Sequence, residues 1–119
     1  MSLNIESSIH ENAVVVVRVD GEITFENSDV LRSKIDELCE QGHIKMVIDL
    51  EQLKYMSSAG MGVLVHGVKK TRQANGDLRL CNLNSKMRRI FMITQFNHHF
   101  QVLKSLDEAL ESFKSESSR

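Results

Sequence analysis

Val47 to Leu64, VIDLEQLKYMSSAGMGVL, gathers the residues best placed to do chemistry. Two adjacent hydroxyls, Ser57 and Ser58, stand between an apolar run containing Asp49 and a segment carrying Gly60 and Gly62. The run reads as a buried strand, and the residues after the serines read as the start of a helix. The first N–H groups of a helix have no partner within it, so Ser57 can cap the helix with its side-chain oxygen. Ser58 then sits in the first turn, its hydroxyl close to free backbone donors. On residue chemistry alone, a serine before a helix is ordinarily a cap and nothing more. Gly60 and Gly62 keep the turn slim, which lets another surface approach closely. Asp49, at the end of the strand, is a carboxylate expected to accept hydrogen bonds from the following loop and so to hold the serine loop in place.

The other reactive side chains do not assemble into a catalyst. No G-x-S-x-G elbow is present, and His10, His43, His66, His98 and His99 fall in strand, loop and helix-surface contexts with no acid partner in view. His98 and His99 are neighbours, so they cannot share a helix face as the two histidines of an H-E-x-x-H site do. Cys39 lies in a helical pattern and Cys81 in a strand pattern, without metal-ligand spacing. They read as two small buried or half-buried thiols in a reducing cytoplasm. No enzymatic activity, metal or cofactor is expected. Fifteen basic residues are spread among sixteen acidic ones, for a net charge of −1, and the chain has no Trp and one Tyr. That composition argues against nucleic acid as a partner. The N-terminus lacks the pattern of a leader, and no run approaches the ~20 apolar residues that span a bilayer, so a cytoplasmic protein without membrane insertion is expected.

The elements that must position the serines can be read from periodicity. Leu3, Ile5 and Ile9 alternate with polar residues, and Val14 to Val19 is β-branched between Asn12 and Asp20-Gly21, which predicts two antiparallel strands. Leu31, Ile35, Leu38 and Cys39 recur at helical spacing, with Thr24 or Ser28 as cap and Gly42 as stop. Met46 to Leu50 is a buried strand, followed by a loop and a second helix with Met61, Leu64, Val65 and Val68 on one stripe, ending at Asn75-Gly76. Leu78 to Leu83 predicts a further strand. Asn84 or Ser85 then caps a third helix with Met87, Ile90, Phe91 and Thr94 inward, and Phe100 to Leu103 forms a brief strand. Ser105 and Glu108 make a capping box for a last helix, whose residues from about 114 to 119 are expected to fray. One α/β domain over residues 1–119 follows, with a mixed sheet of about five strands and about four helices. A partly apolar patch is expected beside Ser58, formed by Tyr55, Met56 and Met61 and bordered by Glu22 and Thr24, although Met61 equally suits the core.

Several of these pieces, in this order, resemble one family. YMSSAGMGVLV looks like the phosphorylation-site segment of the sulfate transporter and anti-sigma factor antagonist domain, STAS. VDGEIT at Val19 to Thr24 resembles the family's strand end before the first helix, VIDL at Val47 to Leu50 its central strand, and LNSKMRRIFMITQFNHHFQVLKSLDEAL at Leu83 to Leu110 its closing helix, strand and helix, so the resemblance covers nearly the whole chain. It implies a STAS-like fold and a partner switch of the anti-sigma factor antagonist type. Unphosphorylated, such a protein binds an anti-sigma factor that is itself a serine/threonine kinase and displaces the sigma factor. Phosphorylated, it lets go, and a metal-dependent serine phosphatase resets it. The family's modified serine falls on Ser58, its helix-start glycine on Gly60 and its strand aspartate on Asp49. Two positions depart from the common pattern. An aspartate often found before the modified serine is Ser57 here, which leaves a second hydroxyl as an alternative phosphate acceptor. An aspartate often found before the first helix is Thr24, which weakens the transfer of the nucleotide binding known in some relatives. The same domain also resembles accessory subunits of transporters and of stress-sensing complexes, the alternative role.

Overall fold

The valine run Val14 to Val17 is unbroken because both faces of its strand are covered there, and Arg18, the one charged residue before Val19, is exposed. Val15, Val17 and Val19 point into one core, Val14 and Val16 into another. This division organises the molecule, whose computed structural model describes residues 2–117, with side chains through residue 114. The strands are β1 (Leu3–Ile9), β2 (Val15–Ile23), β3 (Lys45–Asp49), β4 (Leu53–Met56), β5 (Asp77–Cys81) and β6 (Gln101–Leu103). The helices are α1 (Ser28–Glu40), α2 (Ser58–Gln73), α3 (Ser85–Ile93) and α4 (Leu106–Ser117), with short 3-10 turns at Glu11–Ala13 and Phe96–His98. Strands run in the order β1-β2-β3-β5-β6, β1 antiparallel to β2 and the later pairs parallel.

The larger core lies under α1, α2 and α3, where Leu31, Ile35, Leu64, Val68, Met87 and Phe91 meet the odd-numbered valines of β2. The smaller core lies under α4, where Ala109 and Phe113 cover Val14, Val16, Val47 and Cys81. Arg79 fastens that helix. Only 2% exposed, it donates to Asp77 Oδ2 at 2.9 Å and to Ser112 Oγ at 2.8 Å, and its guanidinium sits 3.9 Å from the Phe113 ring centroid. A buried guanidinium is tolerated because each contact offsets part of its lost hydration.

The sheet has six strands where about five were expected. The extra one, β4, occupies what reads as loop after Leu50, because β2 outruns β3: Val15 to Arg18 pair with β3, and after a bulge at Gly21 and Glu22 the end of β2 pairs with β4. Helix α3 also differs from expectation. Met87 and Phe91 are buried, but Ile90 is 40% exposed and Thr94 lies outside as the C-cap. A nine-residue helix at the sheet margin covers the core with one i, i+4 pair. The last helix continues to Ser117, so residues 114–117, expected to fray, are helical, while 118 and 119 lie outside the described residues. Among the described residues no helix is long and apolar enough to cross a membrane.

Candidate functional site

Two adjacent connections, β2 to α1 and β4 to α2, build one end of the molecule. Pairing of Ile23 with Met56 brings them side by side, and Ser57 N donates to Ile23 O at 2.8 Å. Ser57 is the N-cap of α2, in extended conformation, and its side chain accepts from Gly60 N at 3.4 Å. That leaves Ser58 as the first helical residue, exposed, with its hydroxyl outside the cap. The two hydroxyls therefore have distinct surroundings: Ser57 is engaged and half-buried, Ser58 faces solvent.

Gly60 packs inward, and a Cβ there would lie 2.6 Å from Met56 Cγ and 2.7 Å from Ile23 Cγ2. Gly62 differs. A Cβ there would meet nothing within 4 Å, so Gly62 supports no packing of the loop and is instead an open strip of backbone.

Thr24 and Ser28 do not cap α1 as expected. Thr24 N donates to Asn27 Oδ1 at 2.7 Å while Asn27 N donates to Thr24 Oγ1 at 3.3 Å, a reciprocal pair that closes a turn just before the helix. Asn27 Nδ2 also donates to Glu22 O at 3.0 Å. The turn is thus tied at three points, and it presents Phe25 with 82% of its surface exposed. The tied turn spares the backbone at Phe25 further ordering on contact with another surface. Nothing in the periodicity around Phe25 signals this; the display depends on the Thr24–Asn27 pair.

Tyr55, half exposed, and Met56 stand beside the serines as expected. Met61 is only 7% exposed and belongs to the core, yet it lines a small cleft of about 70 Å³ with Tyr55, Met56 and Ile90. Lys54 and Lys86 line the same cleft. Ile90 thus leaves the core expected for it and joins the patch.

Asp49 is 5% exposed and accepts from Glu51 N at 3.1 Å and from Asn82 Nδ2 at 2.9 Å, with Arg18 Nε at 3.4 Å. The bond from Glu51 is the expected one from the following loop. The other two reach the middle of β2 and the turn after β5, so the carboxylate ties the end of β3 to both its neighbours. Beneath it, burial and the Asp49 charge push the Cys81 thiol up to about 12.

One histidine does have an acid partner, against expectation. His66 Nε2 lies 2.7 Å from Asp36 Oδ1, which also takes Lys70 Nζ at 3.0 Å, and the three bridge α1 to α2. Burial pushes the Asp36 carboxyl up, but the hydrogen bonds from His66 and Lys70 outweigh it and hold its pKa below the ordinary 3.8. Asp36 and His66 sit thirty residues apart, so only the packing of the two helices brings them together. Among the described residues, no group of three or more His, Cys, Asp or Glu side chains could hold a metal ion.

A mixed sheet with an antiparallel first hairpin, and a capped serine turn at the start of the second helix, define a small single α/β domain. The sequence model of the STAS domain matches residues 4–109, and the chain belongs to that family. The anti-sigma-B factor antagonist of Bacillus subtilis is 37% identical over 94 residues, covering 79% of this chain and 84% of that one. A crystal structure of an anti-sigma factor antagonist from Mycobacterium paratuberculosis superposes with a TM-score of 0.84 at 25% identity, over 93% of each chain. The antagonist SpoIIAA in its unphosphorylated form shares the fold, with a TM-score of 0.74 at 23% identity over 93% of this chain and 98% of that one. A SpoIIAA from Bacillus has also been solved in its phosphorylated form.

Proposed function

We propose that this chain is an anti-sigma factor antagonist working by partner switching in the cytoplasm. Unphosphorylated, it binds an anti-sigma factor that is a serine/threonine kinase. Phosphorylation of Ser58 releases that partner, and a metal-dependent serine phosphatase restores the binding form. The observation that carries the reading is the division of labour between the two hydroxyls: Ser57 is spent on the cap, and Ser58 stands exposed at the first turn of α2. The names of the relatives support the antagonist role, and the two forms of SpoIIAA support a phosphate switch in this fold.

The physics of the switch follows from position. A phosphate adds about −1.5 to −2 charges at a helix N-terminus, where backbone donors and the helix dipole favour an anion, so the fold tolerates it. A docked partner does not, because the new charge would have to be desolvated inside the interface. A penalty of ~3 to 4 kcal/mol weakens binding on the order of a few hundredfold. Phe25, Tyr55, Met56 and Ile90 supply the apolar part of the docking patch, with Met61 behind them, Glu22 and Thr24 at its edge, and Gly60 and Asp49 holding the frame.

Capture of partners from the source cell with the wild-type chain, followed by incubation with the bound kinase and ATP, tests this by mass spectrometry. Phosphate is expected on Ser58. Ser58→Ala is expected to stay binding-competent permanently, and Ser58→Asp to release the partner at least in part. Ser57→Ala is expected to lose roughly 0.5 to 2 kcal/mol of stability with its cap and still to accept phosphate. Phosphate on Ser57 alone, or on neither serine, overturns the reading.

A further inference from the structure

The exposed side of α2 does not end at Ser58. Gly62, Val65, Lys69 and Arg72 follow it at intervals of four, three, four and three residues, which places all five on one face of the helix. Gly62 is open, and the far end of the face runs into a groove of about 420 Å³ lined by Val65, Val68, Lys69, Arg72, His98 and His99. Among the described residues, no carboxylate lines this groove. Arg72 is anchored by Asp77 at 2.8 Å yet remains half exposed, while Lys69 makes no ion pair among the described residues. His99 is held in place by the Phe96 and Phe100 rings, at 5.8 and 6.4 Å. Each imidazole adds at least one N–H donor.

We infer that this groove is a second contact site for the same partner that docks at Ser58, and that it receives an acidic, amphipathic helix of that partner. The inference rests on the switch reading for the partner's identity. Two observations favour this occupant. The groove is complementary to carboxylates on its polar side and to aliphatic side chains at Val65 and Val68. It is also continuous with the serine turn across bare backbone at Gly62, Lys69 lying about 16 Å along the helix from Ser58. The site lies beyond reach of a phosphate on Ser58, more than a Debye length away at physiological salt, so it contributes to partner choice and association rate in both states of the switch.

Two measurements decide it. In the first, the isotopically labelled full chain is titrated by NMR with a synthetic helical peptide of roughly 16 residues bearing Leu and Glu on opposite faces, and with its Gln counterpart. The Glu peptide is expected to shift the amides of Gly62, Val65, Lys69, Arg72, His98 and His99, and to bind about tenfold more weakly at ~0.3 M salt. Equal shifts with the Gln peptide, shifts centred elsewhere, or none, overturn the inference. So do concentration-dependent shifts of those amides in the free protein, which assign the groove to a second copy. In the second, Lys69→Glu is expected to weaken the Ser58 kinase complex tenfold or more without changing the melting temperature, and Lys69→Arg to preserve it. Unchanged affinity of Lys69→Glu, with Ser58→Asp still releasing the kinase, sinks the groove and leaves the switch standing. Peptide bound in the groove with no phosphate ever reaching Ser58 does the reverse.

Discussion

Gly60 and Gly62 lie one turn into the same helix, and the added methyl that would collide with Met56 and Ile23 at the first would enter open space at the second. The contrast extends along α2. Its inner face is built of Gly60, Leu64, Gly67 and Thr71, close enough that a Cβ on Gly67 would lie 2.6 Å from Leu78 Cδ1. Its outer face, from Ser58 to Arg72, carries a hydroxyl, bare backbone, the half-buried Val65 and two cations. Sequence pattern alone treats both glycines as thinning the turn. Packing separates them: one lets the helix approach its own sheet, the other leaves room for a different molecule.

Substitutions on the two faces sharpen or break that contrast. Leu64→Ala, at a fully buried position, is expected to cost about 2 to 5 kcal/mol in urea denaturation. A loss below ~1 kcal/mol would mean that the inner face is not close-packed. The glycine pair comes next, with opposite signs. Gly60→Ala combines overpacking of about 1 to 3 kcal/mol with a helix-propensity gain of about 1, for a net loss of up to about 2. Gly62→Ala has only the gain and is expected to stabilise by roughly 0.5 to 1 kcal/mol while weakening partner binding. Equal stability changes at the two positions would erase the distinction.

The smallest effect concerns the pair that joins α2 to α1. Because the folded pKa of Asp36 lies below its unfolded value, its contribution is present above pH 3.8 and is lost as pH falls through the folded value. Asp36→Asn is thus expected to cost about 0.5 kcal/mol or less at pH 7, the side chains being partly exposed. The gap from wild type should narrow in melts as the pH is taken below 3.8 and through the lower folded value. A gap that widens on acidification would contradict the pairing.

Local chemistry made much of this legible. The caps at Ser57, Asn84 and Ser105, the positive-φ stop at Gly42 and the two-faced valine strand all follow from neighbours in sequence. What escaped depends on distant partners. Strand β4 has four residues and exists because β2 extends past β3. The role of Ile90 depends on how far α3 overlaps the sheet, and the Asp36–His66 pair on which helix faces meet. At the serine site, Ser57 and Ser58 could be told apart in outline, but the exposure of Phe25 could not, since it is fixed by hydrogen bonds around the turn and leaves no periodic trace.

The burial of Cys81 beneath α4 supplies a built-in clock for that helix. Burial keeps this thiol protonated at pH 7 and fully covered, so an alkylating reagent can reach it only when the covering structure opens. Cys39, half-buried in α1, provides an internal standard on the opposite layer. The ratio of their modification rates, followed by mass spectrometry in the free chain, then measures how often the C-terminal helix lifts from the sheet relative to the rest. Cys81 is expected to lag by orders of magnitude, and matched rates would mean that α4 is only loosely seated.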